Sequence, residues 1–220
     1  VEFTCVHGNK VDMIDYGKEG GWSVGTEDAW DAVVLAGGRA RRLGGMDKAA
    51  LEIRGRSLLG IAIAACAGAR YRVVVGPERL TDEPVRWARE SPVGSGPLAA
   101  LGAGLAVLPS GSAVVVVLAA DLPAVDAELV GRLRAAVAGS TRVDGAIVVD
   151  GQHRAQPLLA AYRRTPLEQA ITKIGVLRDR PVRSILNLLT MAAIADTTAA
   201  DDIDTPADLA RWTHNRPGRP

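Results

Sequence analysis

Ala32-Val33-Val34-Leu35-Ala36-Gly37-Gly38-Arg39-Ala40-Arg41-Arg42-Leu43-Gly44-Gly45-Met46-Asp47-Lys48 joins a short Val-rich block to a basic, glycine-rich segment. The apolar block does not alternate with polar residues, as expected of a strand buried on both faces of a sheet. The segment after it holds four glycines, three arginines and one lysine within fourteen residues from Leu35 to Lys48. Glycines let a backbone turn its N–H groups toward a phosphate, and Arg and Lys supply charge for the oxygens. Neither standard nucleotide fingerprint is present. G-x-G-x-x-G is absent, and Asp47-Lys48-Ala49 stands where a P-loop would need Gly-Lys-Ser/Thr.

Outward from this junction the same rhythm repeats. Residues 72–75, 113–120 and 146–149 are further Val- and Ile-rich blocks that read as buried strands. Between them lie helical segments: one capped by Ser57 and running to about Ala69, one with Pro97 in its first turn reaching Leu108, and one after Pro123 reaching about Ala138. Alternating strands and helices predict an α/β fold, a three-layer sandwich with a mostly parallel, Rossmann-like central sheet. Ligands of such sheets bind beyond the carboxyl ends of the strands. Residues 151–190 depart from the rhythm, with a polar turn at 151–154, a strand-like stretch at 157–162 and two helical segments split by Pro181. This region is the expected place for an acceptor site.

Residues 1–30 carry five glycines, scattered charge and no apolar period. An ordered arm, a flexible tail or an upstream extension of the reading frame all fit, and composition favours the tail. The expected organisation is an N-terminal extension at 1–30, a catalytic domain at 31–212 and a C-terminal tail at 213–220.

The 220 residues are 48% hydrophobic and 23% charged, with a formal net charge of +1, an ordinary globular balance. Nothing in that charge predicts a nucleic-acid or membrane partner, so any anion site is local. Trp22, Trp30, Trp87 and Trp212 are too dispersed to form a base-stacking platform. Cys5 and Cys66 form no metal or disulfide framework, which fits a reducing cytoplasm. No apolar run is long enough to span a bilayer, and no export signal is read.

Three further motifs bear on chemistry. Gly96-Pro97-Leu98-Ala99-Ala100 opens a helix whose N–H groups can hold a base or an anion. Ala119-Ala120-Asp121-Leu122-Pro123 sets a carboxylate at the end of the most apolar strand, facing the ligand crevice, where it can hold Mg²⁺ or cap the next helix. Asp201-Asp202-Ile203-Asp204-Thr205-Pro206-Ala207-Asp208-Leu209 can start the last helix at Thr205 and Pro206.

With these residues in view the chain resembles the molybdenum cofactor guanylyltransferases, the MobA type, within the GT-A-like nucleotidyltransferases. That family's loop reads approximately L-A-G-G-x-x-x-R-M-G-x-x-D-K, and Leu43 is the single departure from its specified positions. G-P-L-A-G is matched except at Ala100. D-x-P is matched at Asp121, and N-x-N-T-P-E-D-L is met with aspartates at 202 and 204. Gln156-Pro157-Leu158-Leu159-Ala160-Ala161-Tyr162 is similar to a Q-P-x-x-A-x-Y segment near the family's acceptor. Together these stretches cover about residues 31–212.

The resemblance implies that Leu35, Ala36, Gly37 and Gly38 contact the nucleotide, that Arg42 and Gly45 line the triphosphate, and that Lys48 pairs with phosphate oxygens. It implies nucleotide contacts for Gly96, Pro97 and Leu98, an acidic nucleotide contact at Glu90, metal binding at Asp121 and a second metal ligand at Asp204. Lys48, Arg42 and Asp121 would then be the catalytic set, with Mg²⁺ as cofactor. The implied reaction transfers GMP from GTP to the terminal phosphate of molybdenum-molybdopterin, releasing pyrophosphate. A molybdoenzyme or cofactor-delivery protein would stand downstream. His153 and Arg154 are candidates for contact with an anionic acceptor, although an exposed turn is the safer reading for His153. Two rivals remain: a cytidylyl- or sugar-phosphate nucleotidyltransferase, to which the aspartates near Asp204 point, and a non-catalytic nucleotide-binding module, which would be expected to lack Lys48 or Asp121. The oligomeric state has no signature in the sequence.

Overall fold

The computed structural model describes residues 3–7, 10–14, 29–37, 47–196, 198–203 and 205–214. Along the chain these form β1 (Phe3–His7), β2 (Lys10–Ile14), β3 (Trp30–Leu35), the short hairpin β4 (Glu52–Ile53) and β5 (Arg56–Ser57), α1 (Leu58–Ala65), β6 (Arg72–Val75), β7 (Arg86–Ala88) and α2 (Pro97–Val107). They continue with β8 (Val114–Ala119), α3 (Ala127–Ala138), β9 (Gly145–Val149), β10 (Ala155–Arg163), α4 (Arg164–Ile174), β11 (Met191–Ala195) and α5 (Pro206–His214). Two 3₁₀ segments, Lys48–Ala50 and Val182–Leu188, complete the described elements. Among the described residues no helix is long and apolar enough to cross a membrane.

Nine strands make one sheet in the order β2-β1-β11-β9-β10-β8-β3-β6-β7. β7, β6, β3 and β8 run parallel to one another. β10 is antiparallel to both β8 and β9, while β9 and β11 are again parallel. The sheet is therefore mostly parallel, as the Val-rich blocks predict.

Each block feeds two cores because successive side chains point to opposite faces. Ala32 and Val34 of β3, with Val116 and Leu118 of β8, pack under α1 and α3. Val33 and Leu35, with Val115 and Val117, pack under α2, α4 and the 182–188 segment. The result is a three-layer α/β sandwich. Ser57 caps α1 by accepting from the Gly60 N–H at 3.0 Å, as its position predicts. The third helix follows Pro123 and ends at Ala138 as read, its start set by Asp126, whose carboxylate accepts from the Leu129 N–H at 2.9 Å.

Of the main sheet's strands after residue 29, two escape the sequence reading. β7 has three residues at a sheet edge, and β11, Met-Ala-Ala-Ile-Ala, is too rich in alanine to look like a strand. The N-terminal segment also differs from a flexible extension over part of its length. β1 pairs with β11 through Thr4↔Ala193, Cys5↔Ala192 and Val6↔Met191, and β2 pairs with β1. Composition measures how much a segment can bury, whereas an edge strand is recruited by unpaired backbone N–H and C=O groups.

Packing against the sheet is close enough to require glycine at one helical position. A Cβ on Gly104 of α2 would stand 2.6 Å from Val33 Cγ1 and 2.9 Å from Val75 Cγ2, whereas at Gly131 of α3 it would meet nothing within 4 Å. Replacing a helical glycine with alanine gains up to about 1 kcal/mol of helix propensity, and overpacking a core costs about 1 to 3 kcal/mol. Gly131→Ala is therefore expected to raise the urea midpoint and Gly104→Ala to lower it. Equal midpoints for the two variants would contradict the close approach of α2.

Candidate functional site

The carboxyl ends of β8, β3, β6 and β7 lie side by side, with Leu35 opposite Ala119 and Val75, and Val75 opposite Ala88. Hydrogen bonds carry this alignment one residue further. The Ala36 N–H donates to Val75 O at 2.9 Å, the Ala120 N–H to Leu35 O at 3.0 Å and the Gly76 N–H to Ala88 O at 3.0 Å. The strands therefore deliver Gly37, Gly76 and Asp121 to one edge, with Glu90 two residues beyond β7. Leu35 and Ala36 are buried and Gly37 is exposed.

Lys48 opens the 3₁₀ turn after the glycine-rich loop, and its Nζ lies 3.7 Å from Asp121 Oδ2. The two side chains are 21% and 28% exposed, enough to leave both accessible to a ligand. Residues 73 positions apart in sequence thus meet at the sheet edge. Asp47, just before Lys48, accepts from the Ala49 N–H at 3.2 Å and from Arg79 at 2.6 and 2.8 Å. The hydrogen-bonded Arg79 guanidinium holds the Asp47 carboxyl below the usual carboxylate range.

Asp121 is also anchored from the C-terminal side. The Ile203 N–H donates to Asp121 O at 3.2 Å, and Ile203 is buried with Ile53, Leu58 and Trp212. The hairpin and α5 thus seat the segment before Asp204 beside Asp121. Thr205 and Asp208 exchange hydrogen bonds at the start of α5, Asp208 accepting from the Thr205 N–H at 2.8 Å and Thr205 Oγ1 accepting from the Asp208 N–H at 3.2 Å. This accounts for Thr205-Pro206 as a helix start. Gly38, Arg42, Gly45 and Asp204 itself lie outside the described residues.

Gly96 is the N-cap of α2, with φ of 92° and no side chain to satisfy the helix start. Pro97 follows at the first position, and the Leu98 side chain is fully buried in the core, so Leu98 can meet a ligand only through its backbone. Glu90 accepts from the Gly94 N–H at 2.9 Å and so closes the 91–95 loop. With Ser95 and Ala99 it lines a cleft of about 350 Å³ whose other wall is Leu177 and Arg178. Neither wall residue carried a sequence signal.

At the other half of the edge, Asp150 organises the 150–156 turn. It accepts from the N–H groups of Gln152 and Arg154 at 2.8 and 2.9 Å, from Arg154 Nε at 2.9 Å and from Gln156 Nε2 at 2.9 Å. Burial pushes this carboxyl up, but the hydrogen bonds from Arg154 and Gln152 outweigh it and hold the group low. Arg154 is thus tied to Asp150 on one side while remaining 66% exposed, and His153 sits on an exposed turn. Burial pushes the Cys66 thiol up to about 12, which removes it as a nucleophile at neutral pH.

Residues 32–195 match the family model described as a MobA-like NTP transferase domain. The chain is 40% identical over 116 residues to a molybdenum cofactor guanylyltransferase of Acidiphilium cryptum, a match covering 49% of this chain and 58% of that protein. It is 38% identical over 136 residues to a probable molybdenum cofactor guanylyltransferase of Opitutus terrae, covering 59% and 64%. The chain thus spans about three fifths of the length of these curated relatives. In fold it is similar to the crystal structure of molybdopterin-guanine dinucleotide biosynthesis protein A from Archaeoglobus fulgidus, with a TM-score of 0.63, 21% identity and coverage of 83% of this chain and 96% of that one. With its glycine-rich loop, its parallel sheet edge and the family model agreeing over most of its length, the chain belongs to the MobA-like NTP transferase domain family.

Proposed function

We propose that this protein transfers GMP from GTP to the terminal phosphate of molybdenum-molybdopterin and releases pyrophosphate, in the cytoplasm. The observation that carries the reading is the meeting of Lys48 Nζ and Asp121 Oδ2, 3.7 Å apart, at the edge where Gly37 leaves β3. A cation and a carboxylate side by side suit a triphosphate bound with a divalent metal. The guanylyltransferase names of the relatives support GTP and a molybdopterin acceptor.

In this reaction an acceptor phosphate oxygen attacks the α-phosphorus, a P–O bond forms, and the bond to the leaving pyrophosphate breaks. The nucleophile is already an anion at neutral pH, so no general base is required. The protein's task is positioning and charge neutralisation. Lys48 and Arg42 hold phosphate oxygens, the backbone of Leu35 to Gly38 with Gly45 accommodates the nucleotide, and Gly96 to Leu98 with Glu90 bound the base. Arg154 and Gln156, held by Asp150, face the acceptor.

Mg²⁺ fits the residues present. Asp121 is a partly exposed carboxylate at the sheet edge, 3.7 Å from Lys48 Nζ. Such a hard oxygen donor suits a cation that takes one or two carboxylates and completes its shell with phosphate and water. Asp121, with Asp204, would hold it, and the ion would supply charge neutralisation to the triphosphate.

Pyrophosphate release measured with each of the four NTPs and molybdopterin tests the assignment. GTP is expected to exceed CTP by at least about tenfold, or about 1.4 kcal/mol, since a pocket that pairs with guanine leaves polar groups unmatched when cytosine enters. Equal or faster turnover with CTP would instead support a cytidylyltransferase.

Lys48→Ala is expected to lower turnover about 10² to 10³ fold, about 3 to 4 kcal/mol, with little change in melting temperature. Normal turnover in that folded variant would remove Lys48 from the site. For Asp121→Asn the expected change is a higher Mg²⁺ requirement with stability preserved, because the substitution removes charge and keeps shape. An unchanged Mg²⁺ titration with early melting would make Asp121 purely structural.

A further inference from the structure

The connection from β6 to β7 touches the glycine-rich loop at both of its ends. At the first end, a Cβ on Gly76 would stand 2.9 Å from both the carbonyl carbon and the oxygen of Ala36 and 3.1 Å from the nitrogen of Gly37, so only glycine permits the approach. Three residues later Arg79 reaches the residue that ends the loop. Its Nε donates to Asp47 Oδ2 at 2.6 Å and its Nη2 to Asp47 Oδ1 at 2.8 Å.

The guanidinium is braced before it meets this carboxylate. Arg79 Nη1 donates to Pro77 O at 2.8 Å, and its side chain is only 16% exposed. Asp47 passes the constraint on, because its Oδ1 also accepts from the Ala49 N–H at 3.2 Å and caps the turn that begins at Lys48. The guanidinium fork fixes the carboxylate, the carboxylate fixes the turn, and the turn presents Lys48 to Asp121. Core stability does not explain the arrangement, since the neighbouring Glu78 is exposed and Leu80 is fully so. An ion pair whose carboxylate is 46% exposed contributes little stability, whereas a two-point Arg–carboxylate fork defines direction.

We propose that Arg79 is a positioning residue for nucleotidyl transfer: it holds Lys48 in place through Asp47 without touching the substrate. The proposal rests on the roles assigned above to Lys48 and Asp121.

Steady-state pyrophosphate release from GTP and molybdopterin, together with thermal melting, tests it on wild type, Arg79→Ala, Arg79→Lys, Asp47→Ala and the Arg79→Ala, Asp47→Ala double variant. Arg79→Ala is expected to lower kcat about 10²-fold, the scale of a displacement of about 1 Å in a reacting group, with KM for the acceptor unchanged. Its melting temperature should move by no more than about 3 °C, as for loss of a surface pair in a chain of this size. Arg79→Lys should fall between wild type and Arg79→Ala, because an ammonium keeps the charge and loses the fork. The double variant should be no slower than Asp47→Ala, since the two residues act in one chain of contacts. Wild-type kcat in Arg79→Ala, or losses that multiply in the double variant, would overturn the positioning role while leaving nucleotidyl transfer standing. A wild-type protein that releases no pyrophosphate from any NTP would overturn both.

Discussion

The site depends on one constraint, the pairing of β3 on both sides with parallel neighbours. β6 and β8 grip it through hydrogen bonds that persist past the last strand residue, at Ala36 N–H to Val75 O and Ala120 N–H to Leu35 O. Parallel strands end on the same side, so three chain segments far apart in sequence must emerge together. The start of the loop is therefore held by the same hydrogen-bond ladder that holds the central strand.

The opposite end of β3 is secured by charge. Asp31 is fully buried, with Arg70 Nη2 at 3.4 Å and Arg164 Nη1 at 3.8 Å from its carboxylate. Arg164 also donates to Pro109 O at 2.5 Å and Leu108 O at 3.2 Å, and Arg70 to Ser110 O at 3.1 Å. A buried carboxylate tolerates such a place only when paired and hydrogen-bonded. The pairing ties β3 to the start of α4 and to the α2–β8 connection. One end of the strand is thus fixed by an ion cluster, and the other leads into the glycine-rich loop.

Charges at the ligand end are arranged in pairs that leave direction in each partner. Lys48 faces Asp121, Arg79 faces Asp47, and Arg154 faces Asp150. In each, a flexible basic side chain or a loop carboxylate gains a defined orientation before any substrate arrives. Such preorganisation is what the proposed transfer would need, because its chemistry consists mainly of placing charge.

The sequence by itself determined the strand–loop junction at Leu35 to Gly37, the Val-rich strands, the cap at Ser57 and the start of α2 at Pro97. These are local facts, set by side-chain period, backbone freedom and the residue types that begin helices. Tertiary structure alone decided that Lys48 would lie beside Asp121, that Arg79 would reach back 32 residues to Asp47, that Gly76 would press on Ala36, and that β1 would pair with β11. Each of these depends on which strands become neighbours. That choice follows from the packing of the whole sheet, and short-range patterns carry no record of it.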